Sequence, residues 1–340
     1  MKSIIKPKSS EMYPWNRDIS PRVFISPLGE DTSETIREGL NWINASRLLT
    51  PGTHVFLKPN LTFPQFRPGV TTTPAFIESA IIALKDYPIK ITVGEADSGG
   101  FNRFSMHDVY RALGIDEICR RQGVGLVNLY DLPRTYIPFE YNNKTSQIPI
   151  PNIFSEQIDF TITLPVPKIH MNTGVSLSFE NQWGCIPDPQ DRLRLHPAFK
   201  QAVLEINKHV KTRMVLADAT YGLNDNGPML GIPEQLNLTL ISDDIGGAAV
   251  GLCRLMGIDY RNISHLKYAE ARNWIPDPTL IQYNCPPEEL SSKKFYLKRK
   301  LTGLPGFTAF NNSAFAWLIY FSPAAALLHK AYNLVRKPFY

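Results

Sequence analysis

From residue 22 onward, short apolar runs rich in β-branched residues alternate with segments of helical periodicity. That alternation restricts the chain more than any other feature. "RVFISPL" (22–28), "HVFLKPNL" (54–61), "IKITVGEA" (89–96) and "VGLVNLYD" (124–131) read as strands. Between them, "TSETIREGLNWINASRLL" (32–49), "TTPAFIESAIIALKDY" (72–87) and "SMHDVYRALGIDEICRRQG" (105–123) carry helical spacing. Thr32 or Ser33 caps the first, and a threonine followed by proline starts the second. A second set follows, with strands at 160–169, 213–220 and 236–244 and helices at 196–210 and 245–258. Strands alternating with helices argue for parallel pairing through right-handed crossovers. The expected fold is α/β, with open, mostly parallel sheets in two lobes and a ligand cleft at the strand C-terminal ends. The lobes run about 21–131 and 158–270, and short alternating segments at 132–157 suit a β-type connector. No repeat of solenoid length appears.

The ends of the chain read differently. Residues 1–20 form an N-terminal extension with bases but no apolar h-region before Pro14, so they do not read as a secretory signal. The α/β domain spans 21–290, and a tail spans 291–340. There "KKFYLKRK" (293–300) precedes an uncharged run at 313–328, which Pro323 interrupts and which falls short of the ~20 apolar residues of a spanning helix. Two destinations suit it: a membrane surface, contacted flat through residues 304–337, or the domain itself or a partner chain. With 43% hydrophobic and 20% charged residues, the chain can bury a core without disulfides. Cys119, Cys185, Cys253 and Cys285 stand singly, with no CxxC pair, which argues against a zinc ribbon or a locally ligated iron–sulfur cluster. Isolated cysteines suit a reducing compartment and a cytoplasmic location, with membrane association through the tail as the variant. A net charge of +5 does not indicate nucleic acid.

Polar groups gather where strands end: "KPN" (58–60), "GEADSGG" (94–100), "PKIHMNTG" (167–174), "DATYGLNDNGPMLG" (218–231) and "SDD" (242–244). Ligands of open α/β sheets bind outside those ends, so the five sets predict one shared cleft. Lys168 and His170 are two apart and share a side of a strand, where a lysine can hold an anion and a histidine can move protons or bind metal. The plainer alternative is a surface lysine and a loop-bonded histidine. Arg192 and Arg194, just before His196, suit a two-point clamp on a carboxylate or phosphate, or else solvated charges beside a helix cap. Asp218 ends a strand and Asp225 sits in a loop; either suits orienting a base or helping to bind a metal through carboxylate oxygens, or else an Asx turn. Asp243 and Asp244 suit capping the next helix. Asp97 and Ser98, with Arg103 near, read as an anion-binding loop that is neither GxGxxG nor a P-loop. Asn60, Asn172 and Asn181 complete the polar wall. No metal site is assigned. Asn60, Asp97, Lys168, His170 and Asp218 are expected to line one concave surface.

Taken in order, "KPN", "GVTTTPAFIESAI", "ITVGEADSGG", "YRALGI", "DFTITLPVPKIHMNTGVSLSFENQWGCIP", "LADAT…NDNGPMLGIP" and "ISDDIGGAAVGL" give a chain that resembles the DUF362 family over about residues 53–258. The resemblance carries no settled activity. Many members are joined to ferredoxin-like cysteine motifs, which implies redox chemistry and a separate redox protein as partner; this chain has no such motif, and its cofactor is left open. The family pattern after the histidine places lysine before asparagine, whereas Glu180 stands there in this chain, an acceptor in place of a donor. Strand, histidine and glycine-rich helix start are also loosely similar to the nickel-pincer lactate racemases, but the missing lysine counts against a covalently held pincer. The expected function is therefore an enzyme acting on a small anionic molecule, with an oxidoreductase preferred from the resemblance. His170 would be the general acid/base, Asp218 or Glu180 would set its tautomer, and Lys168, Arg192 and the Asn60 loop would hold the anion. The alternatives are a metal-assisted lyase or isomerase on His170, Glu180 and Asp218, and a membrane-surface binding or scaffold protein without catalysis.

Overall fold

Hydrogen bonds join ten strands into one sheet in the computed structural model, which describes residues 20–99, 103–291 and 293–335. All but the last residue of the expected N-terminal extension lies outside the described residues. In chain order the strands are β1 (Arg22–Pro27), β2 (His54–Lys58), β3 (Lys90–Glu95), β4 (Gly125–Asn128), β5 (Phe160–Thr163), β6 (Lys168–His170), β7 (Gly174–Ser176), β8 (Thr212–Asn224), β9 (Ile232–Ser242) and β10 (Gln282–Tyr283). Across the sheet they run β10-β1-β9-β8-β5-β2-β3-β4, with β6 pairing β8 and β7 off that path. From β8 to β4 every pairing is parallel, whereas β9 is antiparallel to both β1 and β8. The fold is α/β with a mostly parallel sheet.

The strand sets expected in separate lobes meet in this sheet. β2 of the first set pairs with β5 of the second, from Val55 opposite Phe160 to Lys58 opposite Thr163. What the sequence divides instead is the two faces. Helices α1 (Thr32–Trp42), α2 (Pro74–Leu84), α3 (Met106–Leu113) and α4 (Ile115–Gln122) cover one face, and α5 (Pro189–Leu195), α6 (Phe199–His209) and α7 (Ile245–Leu255) the other. Strand residues alternate between the two cores: Val55 and Leu57 pack with α1–α4, and Phe56 packs with the opposite set.

Local chemistry sets the boundaries. Asp31 caps α1, in place of the expected Thr32 or Ser33, because its carboxylate reaches the Ser33 amide at 2.8 Å. Thr73 caps α2 ahead of Pro74, and Asp244 caps α7 through the Gly247 amide at 2.7 Å. Gly114, at φ 68°, ends α3 and splits the single helix expected at 105–123. The polar run after Asp218, expected as a loop, is strand to Asn224 and strand again from Ile232. Backbone pairing from Tyr221–Gln235 to Asn224–Ile232 satisfies the main chain whatever the side chains are. Residues Arg134–Tyr141 and Lys144–Pro151 form an antiparallel hairpin.

The tail folds into α8 (Leu304–Asn311), α9 (Ser313–Tyr320) and α10 (Ala325–Val335). Among the described residues, no helix is long and apolar enough to cross a membrane. Phe310 of α8 packs on His196 and Phe199, with ring centroids 4.9 and 5.4 Å apart.

Candidate functional site

The carboxyl ends of β2, β3 and β6 open into a cavity of about 300 Å³, roofed by α5 and α8. Lys168 and His170 both line it, and Ile169 between them enters the core at 1% exposure, as strand alternation requires. Asn60, Ser98, Asn172, Glu180, Asn181, Arg192 and His196 line it too.

His170 holds a defined tautomer. Its Nδ1 accepts from the backbone N–H groups of Asn172 and Thr173 at 3.1 and 3.3 Å, so the proton of the neutral ring sits on Nε2. Burial, reinforced by Lys168, lowers its pKa to about 3, and the ring is uncharged near neutral pH. The expectation that Asp218 or Glu180 sets the tautomer gives way to these backbone amides. His170 presents a donor to the cavity rather than a base. Its Nε2 lies 3.8 Å from Glu180 Oε1.

Glu180 accepts from the Ser176 hydroxyl, and burial raises its pKa against the pull of Ser176 and Lys168. Lys168 moves the other way. Burial lowers its pKa to about 8, with Glu180 opposing. Its ammonium donates to Asn60 Oδ1 at 2.8 Å. Asn60 Nδ2 donates in turn to Asn181 Oδ1 at 2.9 Å, and Asn181 Nδ2 to Thr163 Oγ1 at 2.7 Å. This chain of amides anchors the lysine to β5.

Behind the wall, fully buried Lys58 pairs with Glu95, which itself lines the cavity. Burial raises the Glu95 pKa while Lys58 opposes. Gly184 closes over the pair, where a Cβ would stand 2.5 Å from Glu95 Oε1. The cations Lys168 and Arg192 at the cavity and Lys58 behind it outnumber the lining carboxylates Glu95 and Glu180, whose negative charge burial disfavours. The cavity therefore favours an anion. Arg192 is fixed by the carbonyls of Ile186, at 3.0 Å, and Asp97. Two lining atoms have no hydrogen-bond partner among the described residues: Asn172 Oδ1 and Trp183 Nε1, the indole being 7% exposed. Native interiors pair such atoms, and a ligand would do so here. His196 stacks on Trp183 at 5.8 Å, and burial lowers its pKa to about 3.

Three expected residues stand elsewhere. Asp218 spends its carboxylate on the Thr73 amide (2.7 Å) and on the amide and hydroxyl of Thr220 (3.0 and 2.6 Å), tying β8 to the cap of α2. Asp97 is taken up by the Met106 amide, the Asn128 side chain and Arg103. Asp225 lies at φ 74° beside Leu297 of the tail approach. The two-arginine clamp does not form, because Arg194 is exposed and bridges Asp191. Of the five residues expected on one surface, Asn60, Lys168 and His170 line the cavity. Lys58, Glu95, Ser176 and Trp183 carry no role in the sequence reading, although Lys58 and Glu95 stand in the strand-end sets that point to the cleft.

The model of a domain of unknown function, DUF362, matches residues 55–247. No curated protein matches the chain. Among solved structures, the lactate racemase apoprotein from Thermoanaerobacterium thermosaccharolyticum is similar at a TM-score of 0.42 and 14% identity, over 70% of this chain and 57% of that one. The chain thus spans less than two thirds of the length of that protein.

Proposed function

The chain belongs to the DUF362 family, and from the cavity we propose that it is an enzyme transferring a proton on a small anionic substrate, in the manner of an isomerase or lyase. The observation that carries this reading is the shared wall of Lys168, His170 and Glu180 beside Trp183 Nε1 and Asn172 Oδ1, which have no hydrogen-bond partner among the described residues. Lys168 and Arg192 hold the substrate anion. Glu180, with its pKa raised by burial, is poised as the acid/base. The Nε2–H of neutral His170 donates to negative charge developing on a substrate oxygen. An oxidoreductase stands beside this reading only through the ferredoxin-linked members of the family.

The test uses small carboxylates and phosphate esters with the purified protein in deuterated buffer. Thermal stabilisation reports binding, and proton NMR reports exchange of substrate C–H. Lys168→Met should weaken binding across the panel. Glu180→Gln should retain binding and lower exchange by about 10²–10⁴. Unchanged exchange in Glu180→Gln, or a panel that leaves the melt unmoved, would overturn the assignment.

A further inference from the structure

The tail helices present their apolar side outward. On α9, Ala314, Trp317 and Leu318 share one helical face and are exposed; on α10, Leu327, Ala331 and Leu334 do the same. Trp317 is 56% exposed, Leu327 71% and Leu334 89%. The stretch from Leu301 to Leu334 holds seven of the twelve exposed large hydrophobic residues among those described. Single exposed leucines need no explanation, but a cluster on adjoining helices does.

Charge names the occupant. After Glu289 the chain has no Asp or Glu, while it has eight Lys and Arg. Tyr332 of α10 donates to the Thr302 carbonyl, which sets that helix beside the basic segment ending in Lys298, Arg299 and Lys300. Lys298 and Lys300 are exposed. Of the carboxylates that adjoin the tail, Asp191 and Glu234 are bridged to Arg194 and Lys293, and Asp225, beside Leu297, is buried. Helices of eight and eleven residues cannot span a bilayer, but an apolar face with bases beside it suits lying in its interface.

We infer that the outer face of α9 and α10 docks on an anionic lipid surface. The inner side of the tail is already committed: Gly303, Gly306, Phe310 and Tyr320 line the cavity. Docking would therefore hold the cavity roof against the lipid headgroups. This inference stands apart from the proton-transfer reading, since the lipid-facing residues lie outside the cavity lining.

Co-sedimentation of the full chain with phosphatidylcholine vesicles, with and without phosphatidylglycerol, tests it. Binding should require the anionic lipid and weaken only in part at high salt, because the apolar contact is not screened. Each exposed base near such a surface contributes about fivefold, so Lys298→Glu with Lys300→Glu should lower affinity by more than tenfold. Trp317→Glu with Leu327→Glu should abolish binding and leave the thermal melt in place, since both side chains are exposed. Equal binding to both vesicle types, or apolar-to-acid variants that bind as the parent does, would overturn the proposal. So would a dimer in solution that these variants break while no vesicles are bound, which would assign the face to a second copy of the chain.

Discussion

Lys168 and Glu180 are displaced by the same burial in opposite directions, and this has a pH signature. The folded-state pKa of Lys168 is depressed to about 8, so its positive charge is present below that pH and lost above it. Burial raises the Glu180 pKa above its ordinary value, so it becomes a competent base only as pH rises through that raised value. Anion affinity should therefore decline above about pH 8. Turnover should follow a bell whose acid limb lies above that of a solvent-exposed glutamate and vanishes in Glu180→Gln. A rate profile between pH 4 and 10 checks both limbs. His170 and His196, each lowered to about 3, should add no limb near neutrality. Lys168 and His170 were legible in the sequence because strand alternation is local: two residues apart means one face. The tautomer of His170 was not legible, since the amides that set it belong to the turn after β6.

At the scale of elements, carboxylates that look alike at strand ends divide by what their neighbours need. Asp218, expected at a strand end, lies midway along β8, whereas Glu95 closes β3, and Asp218 is spent on Thr73, at the head of α2, and on Thr220. Asp218→Ala would leave those donors without their acceptor. It should lower stability by about 1–3 kcal/mol in denaturant unfolding while the shape of the pH–rate profile stays the same. A changed profile would instead place Asp218 in the chemistry. The sequence shows an acid after an apolar strand run; it does not show that the strand continues past it or that its partner sits 145 positions away. The alternation of strands and helices was legible for the converse reason. Periodicity and caps are written within a dozen residues, as Thr73–Pro74 and Asp244 illustrate. The extension of this strand pair through 221–224 and 232–235 was not legible because main-chain pairing overrode its polar composition.

Across the whole molecule, the seam between β2 and β5 makes one sheet of two sequence halves, and so one cooperative unit is expected. Denaturant unfolding should proceed in a single transition, with Trp42 beside the α1 face and Trp274 in the opposite core reporting the same midpoint. Two separated midpoints would restore the two-lobe division that the spacing of elements suggests. The seam was not legible because pairing across it joins residues about a hundred positions apart. The sheet also partitions tolerance. Apart from Leu61 and Met229, the apolar cavity-lining residues assigned to a core, such as Trp183, Phe199 and Phe310, belong to the α6–α7 side, and the α1–α4 side packs behind the sheet. Errors accumulating on that far side would erode the lifetime of the protein before they touched what it recognises. A lineage could therefore rebuild that half of the molecule while keeping its ligand unchanged.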